Sequence, residues 1–141
     1  MIHHPKIKIM AFGTFDLLHK GHLDFFKQAR LIAKRPYLIV SVARDVNVKR
    51  IKGRPPSFTQ SQRLKKVKAC KLVDKAVLGA AKNHIPHILK EHPSIITLGY
   101  DQDAYTDNLK EALKKQGLEV KVVRLKSFKP HIYKSSLFGK K

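Results

Sequence analysis

The chain contains no tryptophan, one cysteine and only 10 acidic residues among 141. Each scarcity excludes something. A lone Cys70 excludes an internal disulfide framework and a multi-cysteine zinc site. No apolar run approaches the ~20 residues needed to cross a bilayer, so no membrane partner is expected. The opening Met1-Ile2-His3-His4-Pro5 lacks the apolar stretch of a secretory signal, and a cytoplasmic location is expected. No repeat, low-complexity tract or linker interrupts the sequence, so residues 1–141 are expected to form a single domain. Against the few acids stand 30 Lys+Arg, for a formal net charge of +20 at pH 7. That excess invites nucleic acid, because cations that neutralise phosphates gain affinity by counterion release. The basic residues are nevertheless spread along the whole chain, without a block of five or six like charges, an aromatic-glycine RNA-binding motif or a Cys/His finger. Solvated lysine faces and anionic small molecules are the expected explanation. A basic nucleic-acid-binding protein on the same scaffold is kept as the alternative from another class.

The order of segments is more informative than the charge. Lys6–Phe12 is short and apolar and opens into Gly13, which predicts a first strand ending in a tight turn. From Gly21 to about Lys34, Phe25, Phe26, Ala29, Ile32 and Ala33 recur at helical spacing. Tyr37–Ala43 is a nearly continuous apolar run, as in a parallel strand covered on both faces. Arg44 to Pro56 reads as a polar, basic loop. Thr59-Gln60-Ser61-Gln62 has the form of a capping box and introduces a helix. Ala76–Leu78, Ile95–Leu98 and Val120–Leu125 read as further strands, and His84–Glu91 and the segment around Leu109–Leu113 as helices, the last ending at Gly117. Strand and helix thus alternate about five times. That predicts an α/β, Rossmann-like, open parallel five-stranded sheet with helices on both faces. A ligand then belongs beyond the carboxyl ends of the strands.

The residues at those ends carry chemistry. After the first strand comes Gly13-Thr14-Phe15-Asp16-Leu17-Leu18-His19-Lys20-Gly21-His22. Gly13 permits a turn with exposed amides, and Gly21 permits close approach of a ligand to a helix start that favours phosphate. His19 and His22 are three apart on that first turn, so both imidazoles can donate to one phosphate as charge develops. No His-Glu-x-x-His arrangement suggests zinc. Lys49, Arg50, Lys52 and Arg54 crowd the segment after the second strand, suited to a triphosphate. Gly99 and Asp101 follow the fourth strand, where Asp101 can read a base or ribose. Lys134-Ser135-Ser136 follows the fifth, where it can hold outer phosphates.

The Gly13–His22 segment resembles the GTFD-x-x-H-x-GH signature of the cytidylyltransferase-like nucleotidyltransferases. That resemblance implies the nucleotidyltransferase α/β phosphodiesterase type of Rossmann-like fold. It also implies transfer of a nucleoside monophosphate from a triphosphate with release of pyrophosphate. On the motif it makes Gly13, Thr14, Phe15, Asp16, His19, Lys20, Gly21 and His22 nucleotide-binding, with His19 and His22 catalytic. Val48-Lys49-x-x-Lys52-Gly53 resembles a second family motif, which adds Lys49 and Lys52 as catalytic. Arg63 matches an arginine of the next motif and is assigned to nucleotide binding, with Gly99, Asp101, Lys134, Ser135 and Ser136. Asp16 is expected to orient a divalent metal, Mg2+, held chiefly by the nucleotide phosphates. Ala43-Arg44-Asp45, Leu98-Gly99-Tyr100-Asp101-Gln102 and Lys134-Ser135-Ser136 resemble archaeal-type FAD synthases. The implied substrates are ATP and FMN, and the implied assembly is a homodimer. The alternative within the family is CMP transfer from CTP to glycerol 3-phosphate or a similar phosphorylated alcohol.

Overall fold

The computed structural model describes residues 5–99 and 107–126. Five strands, β1 (Ile7–Gly13), β2 (Pro36–Val42), β3 (Lys75–Leu78), β4 (Ile95–Leu98) and β5 (Lys121–Arg124), form one sheet in the order β3-β2-β1-β4-β5. Every pairing is parallel. β1 is central, with Gly13 opposite Val42 of β2 and Ala11 opposite Thr97 of β4.

Period-two alternation explains how one apolar strand serves two cores. Ile9 and Ala11 of β1, with Leu38, Val40 and Val42 of β2, face α1 (Lys20–Leu31) and α3 (Gln60–Lys68) through Phe26, Ala29 and Val67. Met10 and Phe12, with Ile39, Ile96 and Leu98, face α4 (His84–Glu91) and α5 (Asp107–Lys115) through Ile88, Leu109 and Leu113. The predicted α/β sheet with helices on both faces is the observed one.

Local signals end the helices as expected. Thr59 Oγ1 accepts the Gln62 N–H at 3.2 Å and Gln62 Oε1 accepts the Thr59 N–H at 2.9 Å. Gly117, at φ +90°, closes α5, with the Leu118 N–H donating to the Leu113 carbonyl at 2.9 Å. One expectation is overturned. The segment read as a loop from Arg44 to Pro56 contains a helix, α2 (Asp45–Lys52), ended by Gly53 at φ +80°. Its buried face is Asn47 and Val48 alone, too little apolar content to print a helical stripe on the sequence. No helix among the described residues is long and apolar enough to cross a membrane.

Candidate active site

β1 pairs with β2 on one side and β4 on the other, so the strand order reverses at its carboxyl end. That is the crevice where open α/β sheets take their ligands. The first turn beyond β1 is built around Phe15. Its backbone lies at φ +54°, a left-handed conformation costing about 1–3 kcal/mol for a bulky residue. Burial of its ring, 3% exposed, offsets that cost. The ring tucks beneath Gly13, where a Cβ would come within 2.6 Å of Cζ. Gly13 is therefore required for its missing side chain, and the positive φ of the turn falls on Phe15. The ring of Phe15, named with the nucleotide-binding motif, does not face solvent. It lies instead edge-on to His22, with centroids 5.3 Å apart, and against Phe26 at 5.4 Å.

His19 and His22 are brought together as expected, in an arrangement the spacing alone did not reveal. His19 caps α1: its Nδ1 accepts the Gly21 N–H at 3.0 Å, and His22 Nδ1 accepts the His19 N–H at 3.4 Å. The two rings stack with centroids 3.9 Å apart. An accepting Nδ1 carries no proton, so each neutral ring holds its hydrogen on Nε2; in His22 that one hydrogen serves the Leu17 carbonyl. The electrostatics keep them neutral. Burial, then His19 and, more weakly, Lys52 push His22 down to about 4, against a hydrogen bond to the Leu17 backbone that works upward. Burial lowers His19 as well. No acidic residue occupies the first turn of α1, so the positive end of its dipole is unopposed. Two imidazole donors on a helix N-terminus can stabilise charge developing on phosphate oxygens.

The other expected residues divide. Lys52, exposed at the end of α2, is the lysine whose charge reaches His22; Lys49 is exposed one turn earlier on that helix. Lys20 begins α1 and is exposed. The Gly99 carbonyl accepts from Arg124 at 2.8 Å. Asp101, Lys134, Ser135 and Ser136 lie outside the described residues.

Two of the expected site residues are held by contacts within the protein. Arg63, expected to bind nucleotide, is the largest fully buried side chain among the described residues. Its guanidinium donates to the Thr14 carbonyl at 2.8 Å, the Phe58 carbonyl at 3.0 Å and Asp45 Oδ1 at 2.7 Å. It ties the turn after β1 to α2 and α3 from beneath. Thr14 thereby contributes a carbonyl to this clamp. Asp16, expected to orient a metal, accepts the Ser57 N–H at 2.8 Å and the Phe58 N–H at 2.9 Å, one on each carboxylate oxygen. Among the described residues no three His, Cys, Asp or Glu side chains converge on a point. An ion held chiefly by the nucleotide phosphates, as expected, needs no such cluster.

The sequence reading passed over a second histidine pair. His84 and His87 repeat the i, i+3 spacing of His19 and His22 on the first turn of α4, a signal visible in the sequence. His87 Nε2 lies 2.8 Å from Ser41 Oγ, and His84 sits edge-on to Phe12 with centroids 6.5 Å apart. Burial lowers both histidines, helped by Arg50 at His84 and opposed by Glu91 at His87.

Known proteins share this architecture. An FAD synthase of Methanosarcina barkeri is 46% identical over 119 residues, which cover 84% of this chain and 82% of that protein. An FAD synthase of Methanothrix thermoacetophila is 44% identical, over 87% of this chain and 83% of that one. The crystal structure of a lipopolysaccharide core biosynthesis protein from Thermoplasma volcanium GSS1 superposes with a TM-score of 0.80 at 36% identity, covering 88% of this chain and 99% of that one. Residues 10–138 match the Cytidylyltransferase-like family. That match begins inside β1 and runs past β5, so it takes in the crevice and every element that builds it: the chain belongs to the cytidylyltransferase-like family.

Proposed function

We propose that this protein transfers AMP from ATP to FMN, forming FAD and releasing pyrophosphate. The observation that carries the reading is the stacked, neutral His19–His22 pair on the N-terminus of α1 at the strand-order switch. The FAD synthases that resemble the chain over more than four-fifths of its length supply the acceptor. In this reading a phosphate oxygen of FMN attacks the α-phosphorus of ATP. The new P–O bond forms as the bond to the β-phosphate bridging oxygen breaks, and pyrophosphate leaves with that electron pair. His19 donates from Nε2 to the α-phosphate oxygens, where charge builds up, and His22 turns its one ring proton from the Leu17 carbonyl to the same oxygens. Lys52, with Lys49 behind it, neutralises the departing pyrophosphate. Catalysis is then positioning plus electrostatic stabilisation, with no covalent enzyme intermediate. The chain would work as one nucleotidyltransferase domain in the cytoplasm, with any magnesium arriving on the triphosphate.

The test is direct. Purified protein incubated with ATP and FMN should form FAD and pyrophosphate in equal amounts, and His19→Ala and His22→Ala should suppress both. Pyrophosphate from CTP and glycerol 3-phosphate, without FAD from ATP and FMN, would overturn the assignment in favour of a cytidylyltransferase.

A further inference from the structure

The carboxyl edge of the sheet carries a second cationic cluster that the His19–His22 chemistry does not use. It lies on the other face of β1. Phe15, His19 and His22 gather on the α1 side, whereas Phe12 points to the α4 side and meets His84. Arg44, just after β2, donates from Nε to the Gly79 carbonyl at 2.6 Å. Arg50 of α2 donates from Nη2 to Asn47 Oδ1 at 2.9 Å. Asn47 is itself buried, 6% exposed, and its amide donates to the Ala80 carbonyl at 2.6 Å. A buried amide thus aims an exposed guanidinium, a pre-organised arrangement rather than a wandering surface arginine.

The charge balance points the same way. The three ion pairs among the described residues use Arg30, Arg63 and Lys75, and none involves Arg44 or Arg50. Gly79 and Ala80, whose carbonyls hold Arg44 and Asn47, lead into α4, and Gly79 packs beside Ser41 Oγ, which meets His87, so the arginines and this histidine pair share one end of the sheet. Ser41, 3% exposed, holds His87 from below. Arg44 and Arg50, each tied at one nitrogen to the protein, keep further N–H donors suited to phosphate oxygens. The first turn of α4 adds its dipole, without an acidic residue to oppose it.

We propose that Arg44, Arg50 and His84 form a separate subsite for the phosphomonoester end of the acceptor, on the α4 side of β1. This rests on the proposed FMN adenylylation, and it adds which residues recognise the acceptor. α2 then serves both substrates, Lys52 on the nucleotide side and Arg50 on the acceptor side. With the nucleotide on one side of the end of β1 and the acceptor phosphate on the other, the two reacting groups approach from opposite flanks.

The experiment compares FMN with riboflavin, which lacks the phosphate, by flavin fluorescence titration of the full chain. The proteins are wild type, Arg50→Gln, Arg44→Gln and His84→Asn, each checked by a melting curve. Wild type should bind FMN roughly 10–100-fold more tightly than riboflavin, the worth of charge-assisted hydrogen bonds. Arg50→Gln should remove most of that difference, leave riboflavin affinity unchanged and raise KM for FMN by a similar factor, while KM for ATP stays within about threefold. FMN binding no tighter than riboflavin in the wild type, or undiminished in all three folded variants, overturns the subsite. A wild type that prefers FMN through these residues yet makes no FAD overturns the proposed reaction and leaves the subsite standing.

Discussion

Replacing His22 by alanine separates the chemical role of the histidine pair from its structural one. The ring is half-buried: it lies edge-on to Phe15 at 5.3 Å, is stacked on His19 at 3.9 Å, and accepts the His19 N–H through Nδ1. Losing a side-chain cap costs about 1 kcal/mol. An aromatic edge contact contributes roughly 0.5–1.5 kcal/mol more. The two terms share the same small region and overlap, so His22→Ala should lower stability by about 1–2 kcal/mol and still fold. The kinetic loss should be larger. If the Nε2 donor acts mainly in the transition state, turnover should fall about 10²–10³-fold. ATP affinity should change far less, because helix amides and lysines support the ground state. The assay is single-turnover FAD formation with ATP and FMN, which isolates chemistry from product release, beside an ATP titration and a melting curve. His22→Gln provides the control: its amide oxygen can accept the His19 N–H, so the capping part of the loss should recover while turnover stays low. Near-normal turnover in folded His22→Ala would remove the imidazole from the chemistry.

Three further outcomes follow from the same geometry. His22 titrates near 4 in the folded chain against an ordinary 6.5, so the unfolded chain takes up this proton first as the pH drops. Stability from this site should be full above 6.5 and fall by about 3 kcal/mol as the pH passes down through 4; melting curves across that window should flatten in His22→Ala. Arg63→Met removes three hydrogen bonds to Thr14, Phe58 and Asp45, but Asp45, with its side chain 39% exposed, can rehydrate. The loss should be about 2–4 kcal/mol by denaturant titration, and a change under about 1 kcal/mol would contradict the clamp. Gly13→Ala places a Cβ 2.6 Å from the Phe15 ring, and that ring supports His22. It should cost about 1–3 kcal/mol in a thermal melt and slow turnover as well; a fully active, fully stable variant would break the proposed link between Phe15 and His22.

The sequence alone determined a good part of this molecule, because much of it is written in short-range periodicity. Buried strands read as continuous apolar runs, the capping box of Thr59 and Gln62 and the closing Gly117 are local, and alternation of strand with helix implies a parallel sheet. His19 and His22 were legible for the same reason: three residues on one helical turn settle which groups can meet. Tertiary structure decided the rest. The order β3-β2-β1-β4-β5 comes from pairings between segments far apart in the chain, which no local pattern carries. α2 was hidden because its inward face is Asn47 and Val48, and a buried amide looks polar until its partners, the Ala80 carbonyl and Arg50, are in place. The same holds for charge. The family resemblance names Arg63 and Asp16 as site residues, and only the fold shows their protein partners: one is fully buried against Thr14, 49 residues away, and the other holds the amides of Ser57 and Phe58. A side chain's type states what it can bond to; only the folded chain decides whether protein or ligand is within its reach.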